Sequence, residues 1–171
     1  SSFQNNTANN NGGAVNIVTD GTTVKFNGCS VIVNTAGANG GAFYAGSGSK
    51  SELYNLTVTN NKALYGAVLY ITGISTEAAV VDMTVSGNEA TKDGYIIYGG
   101  SSKAVLNIDK TSFTDSDEQG ALDAAYWSMA IAGTVSLKSA DAAPEYSKTA
   151  VKVSTAKELE NAINKNSKNI N

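Results

Sequence analysis

The sequence predicts an all-β solenoid, a parallel β-helix of about five coils of 26–28 residues, and three observations carry that reading. The first is that Gly12-Gly13-Ala14-Val15 returns in eroded form. The leading glycines are Gly12, Gly40, Gly66, Gly94 and Gly120, with local sequences GGAV, GGAF, GAVL, GYII and GALD. The second is that other series keep the same beat. Phe3, Val31, Val58, Val85 and Phe113 are spaced 28, 27, 27 and 28, each followed three residues on by Asn6, Asn34, Asn61, Asn88 and then Ser116, and two further on by Ala8, Ala36, Ala63 and Ala90. The third is that the apolar runs are short, at 24–26, 31–33, 53–58, 67–71, 80–85, 95–98 and 105–108, and are bounded by Gly, Asn, Ser and Thr. No 3.6-residue helical period runs through the first five copies. A fixed period of this length marks stacked units, none of which can bury its apolar face alone.

At about 3.3 Å per strand residue, one copy holds about three strands and three turns, enough to travel once around a small triangular coil, with successive coils about 4.8 Å apart. A leucine-rich horseshoe repeats at a similar period, but its leucine ladder is missing here; propeller blades need longer repeats. Strand alternation after the glycines places Val15, Phe43, Leu69 and Ile97 in one inward column. The next column, Asn16, Tyr44, Tyr70 and Tyr98, then faces outward, flanked by Val68 and Ile96, and this strip is the candidate contact surface. The series Asn6, Asn34, Asn61 and Asn88 reads as a structural ladder in which an Asn at one corner takes left-handed geometry and bonds the amides above and below. Cys29, the single cysteine, reads as a small core filler. Asn5-Asn6-Thr7 and Asn55-Leu56-Thr57 match the N-glycosylation acceptor pattern, which carries weight only in a source that glycosylates.

Phe3-Gln4-Asn5-Asn6 followed by Gly12-Gly13-Ala14-Val15 resembles the FxxN and GGA(I/L/V) pair of the chlamydial polymorphic outer-membrane proteins and related adhesin-like surface proteins. The resemblance runs from residue 1 to about 122 and fades along it: the second copy keeps GGA with Val31 for the Phe, the third and fourth keep VxxN with GA or GY, and the fifth reads FTDS. What it implies is a right-handed β-helix on a cell-surface or secreted protein.

Charged residues make up only 16% of the chain, the net charge is −3, and there is no Arg and no His, so nothing suggests a nucleic-acid or anionic-membrane partner. No run of about 20 apolar residues could cross a membrane as a helix, and no signal segment opens the chain. Because the sequence begins in mid-repeat with Ser1-Ser2-Phe3, we read it as a piece of a longer protein rather than a processed form. Carboxylates gather in the fifth coil, and Asp115, Asp117 and Glu118 form a weak Ca²⁺ candidate, with a solvated acidic turn as the plainer reading. No cofactor or other metal site and no catalytic residue is predicted.

Past Gly120 the repeat breaks, and 134–137 reads as a last strand, so the β-helix is placed at 1–137, a linker with the one Pro at 138–149, and a strand-helix-strand segment at 150–171. There Leu159, Ala162 and Ile163 form the apolar stripe of a short amphipathic capping helix. That order resembles the opening of pectate-lyase-like β-helix domains, where such a helix covers the base of the core. Its position at the end of this chain suggests that it covers the first coil of the next unit, in a head-to-tail fibre, a homo-oligomer or tandem domains, with folding back onto its own stack as the alternative.

Two functions follow. The favoured one is a non-catalytic, adhesin-like extracellular or cell-surface protein, a structural repeat or fibre-forming unit with itself and a host glycan or cell surface as partners. The alternative is a carbohydrate-binding or carbohydrate-degrading β-helix protein of the polysaccharide lyase or hydrolase kind, which rests on the fold class, the tyrosine column and the acidic coil.

Overall fold

The computed structural model describes residues 1–92 and 95–113, with the strands at 112–113, 129–131, 134–138 and 145–146 as backbone. It is a parallel β-solenoid of about four turns, and the described residues contain no helix. The first coil comprises β1 (Ser2–Gln4), β2 (Thr7–Ala8), β3 (Val15–Ile17) and β4 (Thr23–Asn27). The second comprises β5 (Ser30–Ile32), β6 (Thr35–Ala36), β7 (Phe43–Ala45) and β8 (Lys50–Tyr54). The third has β9 (Thr57–Thr59), β10 (Lys62–Ala63), β11 (Leu69–Ile71) and β12 (Glu77–Val81), and the fourth β13 (Thr84–Ser86), β14 (Glu89–Ala90), β15 (Ile97–Gly99) and β16 (Val105–Asp109). Beyond these, β17 (Ser112–Phe113), β18 (Met129–Ile131) and β19 (Thr134–Lys138) continue three of the sheets, and β20 (Glu145–Tyr146), inside the stretch read as a linker, runs antiparallel along β19.

The expectation of three strands per coil is corrected to four, because the long run in each coil is broken by a corner. The runs 53–58 and 80–85 each divide at a residue of positive φ, Asn55 (φ 52) and Asp82 (φ 52), in register with Gly28 (φ 64) and Lys110 (φ 47). A left-handed residue turns the chain sharply, and Gly, Asn and Asp reach that conformation at least cost. The glycine series that sets the period has the same cause. Gly12, Gly40 and Gly66 have φ of 67, 69 and 61, and a Cβ on any of them would run into the carbonyl oxygen of Val15, Phe43 or Leu69.

Pairing between coils is in register throughout the described stack. Phe3 pairs with Val31, Val31 with Val58, Val58 with Val85 and Val85 with Phe113, so the second sequence series is one column of one sheet. The column Val15, Phe43, Leu69 and Ile97 is likewise confirmed, with the last three fully buried. Edge-to-face contacts Phe3–Phe26 at 5.6 Å and Phe26–Phe43 at 5.4 Å fill the core at the first two coils, with Cys29 packed against it and partly buried. Opposite charges sit one coil apart on the solvent face, at Lys25–Glu52, Lys50–Glu77 and Lys62–Glu89. Exposed pairs contribute little stability, but a slip of register by one residue would separate them.

Two features of the stack are locally unfavourable, one in the core and one at an exposed corner. The hydroxyl of Ser51 is fully buried, in the column of Val24, Ala78 and Leu106, with no hydrogen-bond partner among the described residues. Val33 holds φ 55 in a column otherwise filled by Asn5, Asn60 and Gly87, although a β-branched residue is strained there. Ser51→Ala removes a desolvated hydroxyl and is expected to stabilise the chain by about 1 kcal/mol. Val33→Asn, at a side chain 47% exposed, is expected to gain about 1 kcal/mol by relieving the left-handed strain. Both are read as rises in the urea midpoint at unchanged slope; a fall in either midpoint contradicts the corresponding reading.

Candidate functional site

Two columns in the described stack carry side-chain chemistry from coil to coil. The first is the asparagine ladder at the corner after β1, β5, β9 and β13. The turn into this corner is made by Asn5, Val33, Asn60 and Gly87, which carry the positive φ. This corrects the expectation that the ladder asparagines adopt left-handed geometry: the residue before each does so, and the ladder residue is thereby turned inward. Asn34 and Asn61 are completely buried, Asn88 is nearly so, and Asn6 at the first coil is exposed.

The ladder has a direction. The backbone N–H and the Nδ2 of Asn6 both donate to Asn34 Oδ1 at 3.0 and 2.9 Å, those of Asn34 donate to Asn61 Oδ1 at 2.9 Å each, and those of Asn61 to Asn88 Oδ1 at 2.9 Å each. The same Nδ2 groups reach back to the preceding coil, Asn34 to the Phe3 carbonyl at 3.0 Å, Asn61 to Val31 at 2.9 Å and Asn88 to Val58 at 2.9 Å. Asn34 and Asn61 therefore each tie three coils together, and only Asn supplies two donors and an acceptor on a side chain this short. Single asparagine pairings, Asn39 to Asn11 and Asn55 to Asn27, each at 3.0 Å, repeat the device on other corners. Asn5 and Asn55, the two glycosylation candidates, are exposed at left-handed corners.

The second column is aromatic. Asn16, Tyr44, Tyr70 and Tyr98 pair in succession across β3, β7, β11 and β15, and the next partner is Ala130 on β18. Tyr44 and Tyr70 stack with centroids 5.5 Å apart and planes 4° from parallel, and Tyr70 and Tyr98 at 5.4 Å and 11°. All three are half-buried. Glycine makes room for them: the Tyr70 ring and hydroxyl lie over Gly100, and the Tyr44 ring lies over Gly46. This floor is not legible from spacing, because the residue two places after the tyrosine is Gly46, Thr72 and Gly100 and only its pairing with the aromatic column reveals its use. Tyr65, which the sequence reading passed over, joins the cluster with its ring 5.2 Å from that of Tyr98 at 54°.

The expectation that Val68 and Ile96 flank the tyrosines on the surface is overturned: both are buried in the core. The amides of Val68 and Leu69 both donate to the Ile96 carbonyl, at 2.7 and 3.3 Å, so the chain bends there and strand alternation has not yet begun. Consecutive side chains Ala67, Val68 and Leu69 can thus all face inward. Asp115, Asp117 and Glu118 lie outside the described residues, as do Leu159, Ala162 and Ile163 and the rest of the 150–171 segment.

The strand, inward Asn corner, short strand and glycine bend of the first coil together make one recognisable unit. Residues 1–17 match the Chlamydia polymorphic membrane protein repeat. The chain is a β-solenoid repeat protein that is similar to that family over its first unit. The pairing register extends the repeat beyond the matched stretch, since 30–45, 57–71 and 84–99 lie in successive coils directly on 2–17. No curated protein and no solved structure matches the chain.

Asn61→Asp tests the ladder most sharply, because it keeps the shape while turning donors that face the Val31 carbonyl and Asn88 Oδ1 into a buried acceptor. It is expected to cost roughly 3 kcal/mol or more at neutral pH and to recover in part when the new carboxyl is protonated, whereas Asn6→Asp at the exposed end costs about 1 kcal/mol or less. Denaturant titrations at neutral and acid pH check both; equal costs at the two positions contradict the ladder's role.

Proposed function

We infer that this chain is a non-catalytic segment of an extracellular or cell-surface protein, adhesin-like in kind, serving as a structural repeat unit that assembles end to end. The observation that carries the reading is the direction of its side-chain chemistry. Asn bonds Asn, Lys pairs with Glu and Tyr stacks on Tyr, each with its counterpart one coil away. Residues committed in this way build a rod whose length grows by adding coils. The match of residues 1–17 to a polymorphic membrane protein repeat supports a surface setting.

We assign segment 150–171 of a neighbouring copy, or of a neighbouring domain in tandem, as the cover of the first coil, where Phe3, Val15 and Phe26 are only partly buried. On the largest sheet, β20 already lies antiparallel along β19 and protects that edge. The tyrosine side, with Tyr44, Tyr70 and Tyr98, is the lateral surface we assign to a cell-surface partner. The alternative of a carbohydrate-binding or carbohydrate-degrading protein draws on the same tyrosines. However, a sugar packs on a ring face, and both faces of Tyr70 are turned to Tyr44 and Tyr98.

Electron microscopy and sedimentation velocity of the complete chain are expected to show rods that lengthen with concentration, and deletion of 150–171 is expected to leave single units. A complete chain that stays monomeric at high concentration, or a truncated chain that forms the same rods, overturns the end-to-end reading. Release of reducing sugars or unsaturated uronates from polysaccharides is expected to stay at background; measurable turnover would overturn the non-catalytic one.

A further inference from the structure

We propose that Tyr65 and Tyr98 form an oxidative cross-linking site, where the phenols of two neighbouring coils couple through their ring carbons under a one-electron oxidant such as catalyst-activated hydrogen peroxide. Tyr98 stands at the junction of two different ring contacts. It lies 5.4 Å from Tyr70 with planes 11° apart, and 5.2 Å from Tyr65 with planes 54° apart. A biaryl bond joins edge carbon to edge carbon and leaves the two rings twisted. The tilted Tyr65–Tyr98 pair is therefore nearer the product than the face-parallel Tyr44–Tyr70 pair at 4°.

The fold supplies the proximity. Gly40 N–H donates to the Tyr65 carbonyl at 3.0 Å, Gly66 N–H to the Tyr95 carbonyl at 3.2 Å, and Tyr98 is fixed by pairing of β15 to both β11 and β18. Two phenols held in this way react as one molecule, without the dilution that opposes coupling between chains. Both rings are half-buried, open to a small oxidant and hindered towards the phenol of another protein. The stack adds a feed: a radical formed on Tyr44 or Tyr70 has its next ring within 5.5 Å and can pass along the column to Tyr98.

The chemistry balances with one equivalent of peroxide. Each phenol gives up one electron and one proton to become a phenoxyl radical. The two radicals join by a new bond between the carbons ortho to their oxygens, and each ortho carbon passes its hydrogen to its own oxygen, restoring the aromatic ring. The pair has then lost two hydrogens, which reduce one hydrogen peroxide to two waters. The product is a staple between the third and fourth coils of a chain whose single cysteine cannot supply an intrachain disulfide.

The test is photo-oxidation of the complete folded chain by ruthenium tris(bipyridine) with persulfate, followed by cleavage at lysine and mass spectrometry. The expected product is a monomer lighter by two hydrogens, with peptide 63–92 joined to 93–103 and an unfolding midpoint above that of the untreated chain. Tyr65→Phe and Tyr98→Phe each abolish that linked peptide while Tyr70→Phe retains it, and unfolding in urea lowers its yield about tenfold or more. Fragmentation of the linked peptide from the unaltered chain assigns the joined residues without relying on any variant. A link that survives Tyr65→Phe, fragments that place the bond at another tyrosine, an equal yield in urea, or linkage mainly between chains overturns the proposal.

Discussion

A buried amide side chain must find partners for two donors and an acceptor, and at one corner of this solenoid the coils above and below supply most of them. That constraint organises much of the rest. Asn34 and Asn61 can be buried because each is flanked by another asparagine one turn away, and the left-handed residue before each one turns it inward. The same arrangement fixes the pitch, since a neighbour 27 or 28 residues distant must return to the same corner. Apolar columns then follow without further instruction. Once the Asn corners coincide, the residues three places upstream, Phe3, Val31, Val58 and Val85, coincide too and form one wall of the core.

Coils of unequal composition meet this constraint by adjusting their turns. The glycine-to-glycine interval shortens to 26 between Gly40 and Gly66, yet Leu69 still pairs with Phe43 and Glu77 with Lys50. The short approach to Gly66 is accommodated where the amides of Leu64 and Tyr65 both donate to the Ala38 carbonyl, at 2.9 and 3.2 Å. The missing residue is restored between β11 and β12, where the turn 72–76 is one residue longer than 46–49 between β7 and β8. Strand register is thus kept where hydrogen bonds and core contacts depend on it, and variation is confined to solvent-facing turns.

The columns were legible in the sequence because identical structural demands recur at identical positions. Gly12, Gly40 and Gly66 share one steric requirement, and the asparagines share one hydrogen-bonding requirement, so both series survive erosion of everything between them. The corner at Gly28, Asn55, Asp82 and Lys110 was missed because its residue types differ, so that Leu53 to Val58 reads as one unbroken run. Its signal lay in the spacing rather than in the letters. Val68 and Ile96 were misplaced for a different reason: period-two alternation holds only in extended chain, and they sit in the bend before the strand. The tyrosine column was legible as a column, but its closeness to Tyr65 and its glycine floor depend on side-chain direction and backbone curvature that spacing does not encode.

The ladder asparagines are held by neighbouring coils and shielded from water, and hydrogen exchange of their side-chain amide protons, followed by NMR, measures this directly. The side-chain NH₂ protons of Asn34 and Asn61 are expected to exchange as slowly as the backbone amides of the flanking core strands, while those of Asn5 and Asn55, on the exposed corners, exchange rapidly. Side-chain protons of Asn34 and Asn61 that exchange as fast as those of Asn55 would contradict it, because a ladder open to solvent could neither set the corner nor hold the coils in register.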